Sequence, residues 1–120
     1  MAIEIQKKTG NYYISRDAIS VAAGISAMEV FGLVGMASRK QFKDGIAELL
    51  GMDNLNRGVE VILDGDEITI DIYIIVSYGT KISEVAHNVQ QQVIYSLKSI
   101  IGIDVTTVNV IVQGVRVTQA

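Results

Sequence analysis

The chain has 120 residues, of which 49% are apolar and 19% charged, and its formal net charge is −3. This length and composition predict one domain over residues 1–120 with a hydrophobic core, and they exclude disorder as the default state. Cys is absent, which excludes disulfides and thiolate metal sites and favours a cytoplasmic protein, while the even spread of the ten basic residues argues against nucleic-acid binding.

The start of the chain predicts a strand followed by a helix. Residues 3–7 alternate weakly between apolar and polar side chains, as a short edge strand does. Ser15 has the character of a helix N-cap and Asp17 that of a first-turn carboxylate, and small residues continue to about Met28. The sequence therefore predicts a helix over residues 15–28.

Residues 30–36 form a short apolar run that Gly32 and Gly35 interrupt. Because glycines inside a strand mark bulges or close backbone approach, this run predicts a bent strand. The same spacing occurs in the glycine loop that clamps nucleotides in one class of RNA-binding domain. That loop needs basic residues where this chain has Leu33-Val34, so no nucleic-acid partner is expected.

Residues 39–57 are open to two interpretations. Within them, residues 41–50 place apolar side chains at helical spacing before Gly51, which predicts a short second helix or a loop that packs those side chains. A basic cluster in this segment comprises Arg39, Lys40 and Lys43. It belongs to a solvated loop and helix start, or it contacts an anionic group nearby.

The clearest strands are residues 57–64 and 67–78. The second of them alternates Ile and Val with more polar residues at period two. Between them Asp64-Gly65-Asp66 supplies the residues that tight turns favour. We expect an antiparallel hairpin.

The last part of the chain predicts a helix and a strand. Residues 80–99 repeat apolar side chains every three or four positions, with Thr80 as the cap and Gly102 as the stop signal. Residues 104–117 alternate until Gly114 shifts the pattern, which predicts a long strand with a bulge. The elements together predict an α+β fold, a mixed three- to four-stranded sheet with helices packed mainly on one face.

Catalytic and metal-binding patterns are weak in this sequence. The chain has one His, His87, on the polar side of the predicted helix. The sequence favours an ordinary surface or half-buried residue there over a functional one, because no acid is placed to orient the His side chain. The carboxylates of Asp64, Asp66 and Glu67 are explained by the hairpin turn, and they do not follow the calcium-loop pattern. We expect neither enzymatic activity nor a cofactor or metal.

Apolar residues remain on the second face of the sheet after the core face is assigned. They lie opposite Val61, Ile72, Ile74, Val110 and Val112, and they are Ile62, Tyr73, Ile75, Ile111, Val115 and Val117. Residues 39–57 would cover this face, or it would form an interaction surface, and the terminal strand could pair with another chain. The sequence predicts these six residues as an interface.

Several ordered segments carry a resemblance that spans almost the whole chain. They are Tyr13-Ile14-Ser15, residues 30–35, Arg57-Gly58-Val59-Glu60-Val61, Val76-Ser77-Tyr78-Gly79, Ile82-Ser83-Glu84-Val85-Ala86, Val89-Gln90 and Val108-Asn109-Val110. In this order and spacing they resemble the alkaline shock protein family of Gram-positive bacteria. The stretches around Gly35-Met36-Ala37-Ser38 and Gly51-Met52 resemble its housekeeping branch more than its stress-induced founder.

The resemblance implies a non-enzymatic cytoplasmic protein of envelope stress or envelope homeostasis. It also implies self-association and, in some members, peripheral attachment to the membrane through a small anchor protein. No apolar run reaches the roughly 18 residues of a membrane span, so direct insertion is not expected. The alternative function is a small-molecule or fatty-acyl carrier or an accessory subunit of a lipid-metabolism enzyme, which the surplus of apolar residues motivates.

Overall fold

The computed structural model describes residues 2–39 and 49–117 of the chain. At its start, β1 (Ala2–Lys7) and β2 (Gly10–Ser15) pair as an antiparallel hairpin that forms a two-stranded sheet of its own. The sequence predicts the first strand but not the second. Most side chains of β2 are exposed, so β2 lacks the alternation of apolar and polar residues that marks a half-buried strand. Ile3, Ile5 and Ile14 pack this hairpin against the core.

Helix α1 (Arg16–Met28) begins where the sequence predicts. The Ser15 hydroxyl accepts a hydrogen bond from the Ala18 amide at 3.0 Å, which satisfies one of the first-turn donors, and Asp17 lies in the first turn. The buried face of α1 presents small residues and a single large one, Ile19, so neighbouring backbone can approach closely.

The main sheet is built around β5 (Glu67–Ser77). One edge of β5 pairs in parallel with β6 (Thr107–Arg116). Its other edge pairs antiparallel with two strands in succession, β4 (Val59–Asp64) along its first half and β3 (Leu33–Met36) along its last residues. The predicted mixed sheet and the β4–β5 hairpin are thereby confirmed.

Helix α2 (Ile82–Ser96) connects the parallel strands β5 and β6 and continues into a π-helical turn, Leu97–Ile101. Gly102 ends it with φ of +90°, as its position in the sequence predicts. The prediction of Thr80 as the N-cap is wrong, because its hydroxyl donates to the Ser77 carbonyl at 2.6 Å and so closes the turn after β5; Lys81 takes the cap position.

The core lies between the two helices and the face of the sheet formed by alternate residues of β5. Ile70, Ile72, Ile74 and Val76 of that strand are fully buried there. A 3₁₀ helix that the sequence does not predict, Met52–Gly58, adds Leu55 to the core beside α1. The α+β class, with helices on one face of a mixed sheet, is confirmed.

Residues 39–57 are described only at their ends. Of the predicted segment 41–50, residues 41–48 lie outside the described residues, as do Lys40 and Lys43. Leu49 forms an isolated bridge with Ala37, and the Leu50 amide donates to the Met36 carbonyl at 2.8 Å. None of the described helices combines the length and the apolar character needed to cross a membrane.

Candidate protein-docking surface

The predicted interface residues Tyr73 and Ile111 are neighbours on the outer face of the sheet, the face away from the helices. They are directly opposite each other in the β5–β6 pair, and both are half-buried. Residues opposite each other in a ladder share one face and contact through their side chains. The structure therefore brings these two predicted residues together.

A polar row separates Ile62 from that pair. Ile62 lies on the outer face of β4 and is 40% exposed. The next row of the ladder joins Glu60, Asp71 and Asn109, with the Asn109 amide donating to the Asp71 carboxylate at 2.9 Å. Because this polar row crosses the sheet, Ile62 does not form one apolar surface with Tyr73 and Ile111.

The prediction that Ile75 lies at an exposed interface is wrong, since its side chain is 0% exposed. Ile75 is opposite Gly35, so the missing Gly35 side chain would point to the same outer face. A Cβ on Gly35 would lie 2.5 Å from the Leu49 Cδ1 atom, so Leu49 occupies this space. At this end of the outer face, Leu49 lies over the pair of Gly35 and Ile75.

The assignment of Val115 to the outer face is also wrong. The β5–β6 register shifts by one residue between Val112 and Gly114, and Val115 is opposite Val76, whose side chain belongs to the core on the helix side. One extra residue reverses the alternation, so every later side chain changes face. Val115 is 46% exposed on that side, and Val117 is 74% exposed just beyond β6.

The structure instead groups exposed apolar side chains at the end of the sheet where β5 and β6 finish. Phe31 is 92% exposed, which is extreme for a large aromatic residue. It shares a cavity with Thr80, Lys81 and Val85 at the start of α2. We call this group the Phe31 patch, and its members are Phe31, Tyr78, Ile82, Val115 and Val117.

Backbone hydrogen bonds place the segments of the Phe31 patch side by side. The Ser77 amide donates to the Gly32 carbonyl at 2.9 Å, which sets Phe31 beside the end of β5. The Tyr78 amide donates to the Arg116 carbonyl at 2.8 Å, one step beyond the pair of Ser77 and Arg116, which sets the Tyr78 backbone beside the end of β6. Three separate segments of the chain thus lie side by side at this end of the sheet, and each carries exposed apolar residues.

Sequence reasoning missed Phe31, Tyr78 and Ile82. It assigned Phe31 to a strand and Tyr78 to the last position of another. These assignments gave no reason to expect either side chain to be highly exposed. One local signal was present: Phe31 and Tyr78 each precede a glycine, and Gly32 and Gly79 have φ of +95° and +96°. Both aromatic residues therefore lie at sharp turns of the chain.

The polar residues considered for chemistry lie apart from the Phe31 patch. His87 is exposed on α2, and Asp64 and Glu67 pair across the β4–β5 hairpin, as the turn interpretation predicts. Within residues 2–39 and 49–117, no group of three or more His, Cys, Asp or Glu side chains is placed to hold a metal ion.

The fold and the exposed patch define a small α+β domain whose prominent surface feature is apolar. The profile of the alkaline shock protein family, described by its "cell envelope-related function", matches residues 4–117. The chain therefore belongs to this family, which confirms the resemblance found in the sequence. The housekeeping branch stays a prediction.

Relatives in two bacteria extend this result. The chain is 54% identical over 118 residues to the uncharacterized protein YloU of Bacillus subtilis (strain 168), covering 98% of each chain. It is 42% identical over 117 residues to the uncharacterized protein Spy1614 of Streptococcus pyogenes serotype M6, covering 98% and 97%. The B. subtilis protein YqhY is 36% identical over 107 residues, covering 89% and 78%. No solved structure gives a significant match.

Proposed function

We propose that the chain is a non-enzymatic docking module of cell-envelope homeostasis that self-associates through the Phe31 patch. The observation that carries the proposal is the 92% exposure of Phe31, at the same end of the sheet as Tyr78 and Val117, which are 72% and 74% exposed. Single exposed apolar residues are ordinary, but several large ones at one end of a sheet support an interaction site there. Aromatic anchors of this kind supply much of the binding free energy in protein interfaces.

In this proposal the protein acts in the cytoplasm, and a protein partner such as a small membrane anchor brings it to the envelope. The family's cell-envelope-related function supports that setting. The edge position of β6 offers a second contact for another copy, because among the described residues β6 pairs with β5 alone. The fatty-acyl carrier alternative stays a prediction, which native mass spectrometry of protein purified from its host would test.

Sedimentation velocity of the wild-type protein and of a Phe31→Asp variant over a concentration series tests the proposal. We expect the wild-type sedimentation coefficient to rise with concentration and that of Phe31→Asp to stay at the monomer value. A charge in the patch opposes burial, while Phe31 is too exposed for its loss to unfold the monomer.

Met52→Asp is the matched control, because Met52 is 63% exposed at the start of the 3₁₀ helix and outside the patch. It should behave as the wild type does. A wild-type protein that stays monomeric at every concentration, or equal loss of association in the two variants, would overturn self-association through the Phe31 patch.

A further inference from the structure

A groove runs from Phe31 along the exposed side of α2. Two cavities of about 250 Å³ and 470 Å³ share Phe31 and Asn88 in their walls, so they lie next to each other along the helix. The α2 wall is one helical stripe, with residues spaced by four, three and four positions: Glu84, Asn88, Gln91 and Tyr95. The opposite wall is formed by the end of α1 and the turn after it, Glu29 to Phe31.

The length of the groove suits a short stretch of polypeptide. From Glu84 to Tyr95 the helix rises about 16 Å, at 1.5 Å per residue. An extended chain advances about 3.3 Å per residue, so roughly five residues would fit along the stripe. Two aromatic side chains, Phe31 and Tyr95, stand at this groove, and Tyr95 is 71% exposed.

The polar side chains of the groove suit a peptide backbone. Asn88 and Gln91 each offer an amide donor and an amide acceptor. Within the described part of the chain, neither of these two side chains makes a hydrogen bond. Amides at neighbouring positions of a stripe can therefore bond the N–H and C=O groups of an extended segment.

The charge of the groove selects the kind of segment. Glu84 lines one cavity from the α2 wall and Glu29 lines the other from the opposite wall; both are exposed, and Lys81 also lines the Glu84 cavity. Carboxylates on both walls attract Lys and Arg side chains and repel phosphate, which disfavours nucleic acid and the surface of anionic lipids. The chemistry points to a protein segment with a basic residue beside an apolar one.

We propose that this groove binds an extended, basic segment of a partner protein, with an apolar side chain against Phe31 and Lys or Arg side chains against Glu84 and Glu29. This inference rests on the proposed docking function and names the partner's chemistry. The apolar contact supplies anchoring, and the carboxylates supply selectivity for basic segments.

Selection from a random heptapeptide library displayed on phage, with the full chain as bait, tests the proposal. We expect the enriched peptides to carry Lys or Arg within two positions of a large apolar residue. The affinity of a synthetic copy of the most enriched peptide is then measured by fluorescence anisotropy. Glu84→Lys and Phe31→Ala should each weaken it by about tenfold or more, and added salt should weaken it too.

Glu67→Lys is the matched control, since it makes the same charge reversal at an exposed residue of the β4–β5 hairpin. It should change the peptide affinity by less than about twofold. Failure to enrich any peptide, enrichment without basic residues, or equal effects of Glu84→Lys and Glu67→Lys would overturn the proposal.

Sedimentation separates this proposal from the one on which it rests. Glu84→Lys should lose peptide binding and keep the wild-type self-association, whereas Val117→Asp should lose self-association and keep peptide binding, because Val117 lies in the Phe31 patch but not in the groove. Peptide binding without self-association would leave the groove intact as a site and refute only the proposed oligomer.

Discussion

Gly58 lies where neighbouring atoms leave no space for a side chain. A Cβ at this position would be 2.6 Å from the Ala37 carbonyl oxygen, 3.1 Å from the Leu50 Cδ1 atom and 3.2 Å from the Met36 Cε atom. A backbone oxygen cannot move aside as a flexible side chain can. The 3₁₀ helix therefore joins β4 through a residue that has to be glycine.

We predict that Gly58→Ala lowers the free energy of unfolding by about 1–3 kcal/mol, the usual range for overpacking a filled site. Gly51→Ala is the control, because nothing lies within 4 Å of a Cβ there and its φ is −77°. It should change stability by less than about 0.5 kcal/mol. Urea unfolding followed by circular dichroism measures both, and equal midpoints for the two variants would refute the prediction.

A charge should destabilise the protein far more at one isoleucine of the predicted interface, Ile75, than at another, Ile62. Ile75→Lys places an ammonium group where the side chain is 0% exposed, so we expect a loss of more than about 4 kcal/mol or failure to fold. Ile62→Lys, at 40% exposure on the outer face, should cost less than about 1 kcal/mol. Thermal unfolding compares them, and a folded, stable Ile75→Lys protein would contradict the burial by Leu49.

Among the elements, the β1–β2 hairpin is joined to a distant part of the chain by a side-chain hydrogen bond from Tyr12. The Tyr12 hydroxyl donates to the Ile101 carbonyl at 2.6 Å, in the π-helical turn after α2. The neighbouring Tyr13 hydroxyl instead donates to the Glu4 carboxylate at 3.0 Å, within the hairpin and in solvent. The two tyrosines therefore form a natural comparison.

We predict that Tyr12→Phe lowers the free energy of unfolding by about 0.5–1.5 kcal/mol, the net contribution of one hydrogen bond. It should also speed hydrogen exchange at the amides of β1 and β2 more than elsewhere. Tyr13→Phe should change stability by less than about 0.5 kcal/mol. Uniform exchange rates in the Tyr12→Phe protein would show that this bond does not hold the hairpin.

Elements with strong local signals were predicted well. The N-cap at Ser15, the stop at Gly102 and the alternation of β5 each depend on residues close together in sequence. The second hairpin strand and the 3₁₀ helix carry no such periodicity and were missed. Even the bulge near Gly114 was predicted, but its effect on the face of Val115 follows only from the register with β5.

At the scale of the whole molecule, self-association should be visible as a change in size. The Cα atoms have a radius of gyration of 14.9 Å and extents of 53 × 29 × 23 Å. In small-angle X-ray scattering, we predict that Phe31→Asp keeps a radius of gyration near 15 Å at every concentration, while that of the wild type increases. An increase in both proteins would place the contact outside the Phe31 patch.

By itself, the sequence determined the α+β class and most of the helices and strands, because turn residues and apolar periodicity act over a few positions along the chain. The order and spacing of its segments also carried the resemblance to the alkaline shock family, which the family profile confirms. Only the tertiary structure decided which apolar residues reach solvent. Leu49 lies over the pair of Gly35 and Ile75, and an extra residue turns Val115 to the helix side. Backbone hydrogen bonds between distant segments set the turns at Phe31 and Tyr78 at the same end of the sheet. Exposure is set by contacts between residues far apart in sequence, and no local pattern encodes those contacts.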